Sequence, residues 1–370
     1  MVNDYFNPNL KCDMLLREIV DDNLLLDRLR GLAHKYNKLY HRIAISSDQL
    51  AQLQFDLRIE ITNCRHQFLG YKEDTIFDEN SNKFRTLHIP ALPDRIYESV
   101  IMQVVEPAFS NKWTAIPQAS ITGRGLSSAI RRIKNSIGCV SDKKRNFGLK
   151  LDITKYYQSI DHTLLHDVIN RHFQNERTLA TNFHQIINSF QPGLPIGTYS
   201  SQFLANLFLA DLDFLCAHAD NDNKCKVTRY MDDIFVACDS YDKVIEMLNV
   251  ITNWCTEHKL TLHEPVIANF AQNASIQCIG MIFNHQGVFV PNSTKKRIIN
   301  QHTEVIEHIN SNCLTELDMG RIAAMKGWLS NSTEQLFMNQ LQLIKLINYI
   351  KYNLHGDFTE YDRQWENTMF

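Results

Sequence analysis

Two adjacent carboxylates, Asp232 and Asp233, sit in Tyr230-Met231-Asp232-Asp233, between the apolar, β-prone runs Cys225 to Met231 and Ile234 to Cys238. That pattern predicts a hairpin with both acids at its tip. Like charges held close repel and shift each other's pKa, so the pair calls for a cation. Magnesium, held by carboxylates and substrate phosphates, is the matching ion, with manganese as the alternative. Phe147 to Leu151 reads as a buried strand that ends at a third acid, Asp152. A lone acid at a strand end usually serves a turn. Three carboxylates from two strand ends could instead hold two metal ions roughly 4 Å apart. One ion would lower the pKa of an attacking 3′-hydroxyl; the other would stabilise a leaving pyrophosphate. Phosphoryl transfer is mostly positioning and charge neutralisation, so few further groups are required.

The elements around these acids follow from periodicity. Gly193-Leu194-Pro195-Ile196-Gly197-Thr198-Tyr199-Ser200-Ser201-Gln202 is a glycine-bracketed loop that leads into a helix through Phe203, Leu204, Leu207, Phe208 and Leu212. Glycines permit close backbone approach to a nucleotide, and Ser or Thr caps a helix start. Many loops before helices share this pattern. Residues 83 to 90, Lys-Phe-Arg-Thr-Leu-His-Ile-Pro, alternate like a strand and stop at proline. Helices are predicted over Asp94 to Phe109 and Tyr241 to His258, and a second hairpin over Ile276 to Phe283 and Gly287 to Val290. Residues 12 to 70 place Leu15, Leu16, Ile19, Leu24 and Leu25 on a helical period and carry no recognisable chemistry. From Ser293 onward the pattern is helical. The middle is therefore α+β and the tail all-helical.

The chain has 370 residues, room for two or three domains or subdomains. Hydrophobic residues make up 44% and charged residues 21%, a globular profile. No run approaches the roughly 18 apolar residues of a membrane helix, so no membrane partner is expected. Met1-Val2-Asn3-Asp4 lacks the basic and apolar regions of a leader. The nine cysteines are scattered without a C-x-x-C pair, which argues against zinc and reads as reduced, buried thiols in a cytoplasmic protein. A net charge of −3 and a pI of 6.6 speak mildly against nucleic acid, because phosphate neutralisation needs Lys and Arg. The charge is uneven. Arg124, Arg131, Arg132, Lys134, Lys143, Lys144, Arg145 and Lys150 are opposed only by Asp142. This stretch reads either as a solvated basic face or as a phosphate track leading to the acids.

In their order along the chain, these segments resemble reverse transcriptases of the prokaryotic type, closest in motif style to defence-associated and diversity-generating retroelement enzymes. Leu149 to Asp161 is similar to their first catalytic motif, Gly193 to Asp213 to the second and Arg229 to Phe235 to the third. Ile276 to Gly280 is similar to the primer-grip hairpin and Lys83 to Arg95 to the fingers strand. The resemblance implies a right-hand polymerase fold: a helical extension over 1–75, fingers over 76–146, a palm over 147–290 and a helical thumb over 291–370. The palm would be an antiparallel sheet backed by helices, with a helical insertion around 160–190. Position by position, the resemblance implies Asp152, Asp232 and the backbone carbonyl of Ile153 as metal ligands, with Asp233 beside them. Tyr157 matches the aromatic gate that excludes a ribose 2′-hydroxyl; Tyr156 reads as core. Arg85 and Lys83 match triphosphate contacts, with plain surface charge as the alternative for Lys83. Ile196, Gly197 and Gln202 fall at the nucleotide. Arg124, Arg131, Arg132, Lys134 and Gly280 fall along the nucleic acid. Template, primer and deoxynucleoside triphosphates are the implied partners.

The chain also departs from the family pattern. Ile196 stands where many members carry Gln, and Ser201-Gln202 where many carry Ser-Pro. An apolar residue cannot hydrogen-bond near the nucleotide, which points to relaxed fidelity or unusual templating. The usual fingers arginine falls at Ile121, although Gly123-Arg124-Gly125 is kept. The lysine thought to protonate pyrophosphate falls at Val266, which leaves Lys259 or water as donor. Three readings follow: an RNA-directed DNA polymerase of antiviral defence, a low-fidelity retroelement enzyme, or a catalytically idle nucleic-acid-binding assembly protein on the same scaffold. Near-neutral charge favours the first over the second, and the kept Asp152, Asp232, Asp233 and Tyr157 disfavour the third. The weak charge also suggests a dedicated structured noncoding RNA, or a grip shared with a partner protein or further copies of the chain.

Overall fold

The computed structural model describes residues 15–40, 46–78, 83–138, 145–219, 224–334, 339 and 341–355. Lys143, Lys144 and Asp142 of the basic run lie outside the described residues, as does the end of the expected thumb. The chain divides into two compact units. One takes in the chain up to Ala129, Leu149–Val236 and Tyr241–Pro265; the other takes in Ile130–Gly148, Ala237–Ser240 and the chain from Val266 on.

The first unit opens with helices α1 (Leu15–Val20), α2 (Asp22–Tyr40) and α3 (Ser47–Asn63). A capping box starts α3: the Ser46 hydroxyl accepts from the Gln49 N–H while the Gln49 side chain accepts from the Ser46 N–H. Strands β1 (Tyr71–Asp78) and β2 (Lys83–Pro90) pair antiparallel from Tyr71↔Pro90 to Asp78↔Lys83. Pro90 ends β2, and α4 (Leu92–Phe109) follows with a proline in its first turn, where a missing N–H costs nothing. Next come α5 (Leu126–Ser136), which runs on into the second unit, then β3 (Phe147–Asp152), the single turn α6 (Tyr156–Ser159), α7 (His162–His172) and α8 (Arg177–Asn188). The remaining helices are α9 (Tyr199–Phe208), α10 (Ala210–Ala219) and α11 (Tyr241–Glu257); β4 (Cys225–Tyr230) and β5 (Asp233–Cys238) form the expected hairpin.

An aromatic cluster holds the helices together. Phe109, Phe173, Phe183 and Phe203 are buried, with neighbouring ring centroids 4.9–6.2 Å apart. Each such side chain contributes roughly 1.5–3 kcal/mol relative to exposure. Helix α9 runs through this core, and every described side chain from Phe203 to Phe208 on it is buried. The central sheet has the order β4-β5-β3-β6, where β6 is Val266–Asn269. The outer edge of β4 is not left open. The Gln118 N–H donates to Arg229 O (2.8 Å) and the Arg229 N–H donates to Ile116 O (3.0 Å).

In the second unit β7 (Ile276–Cys278), β8 (Met281–Asn284) and β9 (Gly287–Phe289) form an antiparallel meander where a single hairpin was expected. The extra strand arises at Ile279-Gly280, both at positive φ, which closes a two-residue turn between Cys278 and Met281. Helices α12 (Asn292–Asn310), α13 (Glu316–Ser330) and α14 (Leu343–His355) follow. Cys225 and Cys238, at the outer ends of β4 and β5, are disulfide-bonded, which corrects the expectation of reduced thiols there; Cys64, Cys216, Cys255 and Cys313 are free. Among the described residues no helix is long and apolar enough to cross a membrane.

Candidate active site

The hairpin between β4 and β5 turns in two residues, Met231 and Asp232. Met231 has φ 54°, a left-handed conformation that costs a non-glycine residue on the order of 1 kcal/mol or more. A buried arginine offsets that strain. Arg229 Nη1 donates to Met231 O (3.0 Å) and to Asn206 Oδ1 (3.0 Å). Its Nε and Nη2 grip Asp213 at 2.8 and 2.5 Å. The Asn206 amide in turn donates to Ala119 O (2.8 Å). Arg229 and Asp213 are 1% and 2% exposed, so this is a desolvated, bidentate pair that ties α9 and α10 to the hairpin. In the sequence Asp213 closes one motif and Arg229 opens the next, and neither carries an expected role. An arginine one residue before the Tyr-Met-Asp-Asp run was the available signal.

The three acids differ in environment. Burial, then the neighbouring Asp152 and Asp233 charges, push Asp232 up to about 6, with Arg85 pulling the other way. Asp233 is also raised by burial, but the Lys150 ammonium lies 3.3 Å from its carboxylate and draws it back. Lys150, counted in the basic run, is thus a counter-ion on β3. Ile153 faces Leu262 as an antiparallel bridge flanked by Thr154 N–H to Thr261 O and His263 N–H to Asp152 O, both 2.8 Å. In that pattern the carbonyl of Ile153 points away from residues 261–263. Among the described residues no three His, Cys, Asp or Glu side chains are grouped to hold a metal unaided. Magnesium does not require that: one or two carboxylates, a carbonyl, waters and substrate phosphates satisfy it. The hard-oxygen donors and the raised Asp232 carboxyl, crowded by two like charges, fit such an ion, which Asp152, Asp232 and the Ile153 carbonyl would hold.

Tyr157 lies on α6 with its hydroxyl 3.8 Å from Met231 Sδ. Burial, then Asp232, raise it to about 12, so the phenol stays neutral. Tyr156 is core, 2% exposed, with its hydroxyl donating to Ala205 O (2.6 Å). The 193–202 loop reaches Tyr157 from the other side: the Leu194 N–H donates to Tyr157 O (2.8 Å). At its far end Ile196 O accepts from the His88 N–H of β2 (2.7 Å). Thr198 then caps α9 by accepting from Ser201 N–H.

Other expected contacts are spread more widely. Arg85 and Lys83 are exposed on β2, and Arg85 is near enough to act on Asp232. Gly197 and Gln202 line a cavity of about 760 Å³ with Arg28, Pro90, Arg95 and Glu98; none of the three aspartates lines it. Of the described basic run, Arg124 is half-buried and donates to Thr114 O (2.5 Å), Pro117 O (2.8 Å) and Trp113 O (3.4 Å), a clamp on its own loop. Arg145 is 5% exposed and donates to Ser136 O (3.0 Å). Arg131 is exposed on α5, with Arg132 and Lys134 half-buried. Gly280, at φ 76°, lies under the Trp328 ring, where a Cβ would come within 2.5 Å of it. Val266 is 50% exposed at the start of β6. Lys259, the expected substitute acid, is instead paired with Asp161 at 2.7 Å.

Carboxylates at a hairpin tip, a neighbouring strand-end acid and an aromatic residue against the turn define a polymerase type of site on an α+β fold. A profile of the reverse transcriptase (RNA-dependent DNA polymerase) family matches residues 72–283, more than half of the chain, and the chain belongs to that family. Protein YkfC of Escherichia coli (strain K12) is 22% identical over 222 residues, 56% of this chain and 58% of YkfC; the chain thus matches little more than half of that relative. The structure of apo telomerase from Candida tropicalis is similar with a TM-score of 0.52 at 11% identity, over 92% of this chain and 65% of that one. Telomerase from Candida albicans with a fragment of telomeric RNA gives 0.47 at 11% identity, over 94% and 71%; only the likeness at 0.52 bears on the fold.

Proposed function

We propose that the chain copies an RNA template into DNA by nucleotidyl transfer at Asp152, Asp232 and Asp233. The observation that carries this is the state of Asp232, half-buried and pushed up to about 6 by desolvation and by the Asp152 and Asp233 charges, while Lys150 pairs with Asp233. Such a charge is costly until a cation joins it. Bound magnesium or manganese would polarise the attacking 3′-hydroxyl and the leaving pyrophosphate. The protein's own groups orient the reactants. Arg85 meets the triphosphate, Tyr157 excludes a 2′-hydroxyl and Arg229 holds the turn that carries Asp232. Arg131, Arg132 and Lys134 on α5 are proposed to meet nucleic-acid phosphates. The division into a helical extension (1–75), fingers (76–146), palm (147–290) and thumb (291–370) belongs to the same proposal. So does a role in antiviral defence, which the near-neutral charge favours over a retroelement role.

Primer extension on RNA with deoxynucleotides and magnesium tests the chemistry. Asp232→Asn is expected to lower incorporation by about 10³-fold or more while the fold is kept. Undiminished synthesis by that variant defeats the catalytic assignment. A wild-type chain that binds primer–template but never extends it favours the idle assembly protein.

A further inference from the structure

Sugar selection needs the Tyr157 ring held to within a few tenths of an ångström, yet α6 is a single turn with little stiffness of its own. Its entry residue, Lys155, is left-handed (φ 47°). What bears on Tyr157 is the glycine loop. Gly193 has φ 66°, and a Cβ there would come within 2.2 Å of Tyr157 O and 2.7 Å of the Gln158 backbone. The Leu194 N–H donates to Tyr157 O at 2.8 Å. The Gly193–Leu194 peptide therefore lies directly against the Tyr157 backbone.

That peptide is itself fixed from outside. His162 Nε2 is 2.7 Å from Gly193 O. A carbonyl only accepts, so Nε2 carries the proton and donates. His162 is the first residue of α7, and Asp161 caps that helix by accepting from the Leu164 N–H. The Asp161 carboxylate also binds Lys259. His162 thus passes the rigidity of a capped three-turn helix into the loop that touches Tyr157. Its other ring nitrogen, Nδ1, is buried without a hydrogen-bond partner, so the ring has one polar contact and it is Gly193 O.

We propose that His162 is a positioning residue for sugar selection: its hydrogen bond to Gly193 O sets where the 193–194 peptide meets Tyr157, and so where the gate ring stands. This rests on the reading of Tyr157 as the gate. It adds a specificity determinant ten residues along the chain from Asp152, on a helix that carries none of the three acids.

The test is single-nucleotide incorporation with a deoxynucleotide and its matching ribonucleotide. The ratio of the two kcat/KM values is read on one sample, so loss of folded fraction cancels. His162→Ala is expected to lower discrimination by about tenfold, the scale of a sub-ångström misplacement, with the change in the ribonucleotide's KM. His162→Gln, whose side-chain N–H can reach Gly193 O, is expected to restore the ratio. If alanine leaves no folded enzyme, His162→Asn, whose amide falls short of Gly193 O, is read the same way. Tyr157→Ala is run beside them. If Tyr157→Ala relaxes selection and the short His162 variant does not, the positioning role is overturned and the gate stands. If Tyr157→Ala leaves selection unchanged, the gate reading fails and the role of His162 with it.

Discussion

Asp232 and Asp233 are neighbours in sequence and differ in what burial does to them. Asp233 has Lys150 at 3.3 Å; Asp232 meets the Asp152 and Asp233 charges and rises to about 6 from 3.8. The sign of the linked stability follows directly. Between pH 3.8 and 6 the folded chain binds more protons than the unfolded one, so stability falls as pH rises through that window, and above it the full penalty is present. Asp232→Asn removes the penalty. At pH 7.5 without metal the variant is expected to melt higher than wild type, by roughly 1–2 °C for each kcal/mol relieved, and the gap should close near pH 4. Thermal melts across that range check it, and an equal or lower Tm at pH 7.5 contradicts the burial argument. Lys150→Met is expected to act in the opposite direction. Asp233 loses its counter-ion, and the metal-free chain should lose about 1 kcal/mol at neutral pH, recovered in part by magnesium. A melt unchanged by that substitution, with and without magnesium, would show that the pair is not what holds Asp233.

At the scale of elements, the hairpin depends on a buried pair that reaches its tip through one bond, to the Met231 carbonyl. Arg229 and Asp213 are desolvated together, and the same guanidinium holds Met231 O in a left-handed turn. Arg229→Met strands Asp213 as a buried charge, and a loss of roughly 3–5 kcal/mol is expected in urea denaturation. Asp213→Leu added to it should return much of that stability, because two apolar groups replace a desolvated pair. It should not return primer extension, since Met231 O stays without its donor. Recovery of both would remove Arg229 from the anchoring role. How far such elements could be read in the sequence follows from where their signal lies. β3 and the β4–β5 hairpin run apolar because most of their side chains are buried, and β2, exposed over its first half, was legible from its alternation and its closing proline. β1, Tyr-Lys-Glu-Asp-Thr-Ile-Phe-Asp, was not: six of its seven described side chains are exposed in a two-stranded ribbon, so burial imposes no pattern. Arg124 looked like its basic neighbours because the carbonyls it satisfies belong to residues 113–117, whose need for donors exists only once that loop is folded. His162 gave no sign for the same reason; its partner Gly193 is thirty-one residues away in sequence.

For the whole molecule the open quantity is the grip on nucleic acid. The chain carries 38 basic and 41 acidic residues, and of the basic run Arg124, Arg145 and Lys150 are engaged within the protein. Each phosphate neutralised contributes about −0.9 to the salt slope on duplex, so contacts from Arg131, Arg132 and Lys134 alone mean a shallow slope and weak binding for the isolated chain. A polymerase that must hold primer and template through many additions then needs the missing contacts from elsewhere. A structured RNA supplies them by shape and 2′-hydroxyl contacts, which demand less positive charge than a phosphate track; a partner protein or further copies would supply them as charge. The isolated chain is therefore expected to lose about fortyfold in primer–template affinity between 50 and 200 mM salt, the loss for the three phosphates that Arg131, Arg132 and Lys134 would meet. The protein purified from its native host is expected to carry a defined RNA or to run as a larger assembly. Sequencing the retained nucleic acid separates the biological readings: one recurrent noncoding RNA supports defence, while transcripts of a variable repeat support a retroelement. A bare monomer with a steep salt slope would show that the chain grips nucleic acid alone, through cations that the charge argument has undercounted.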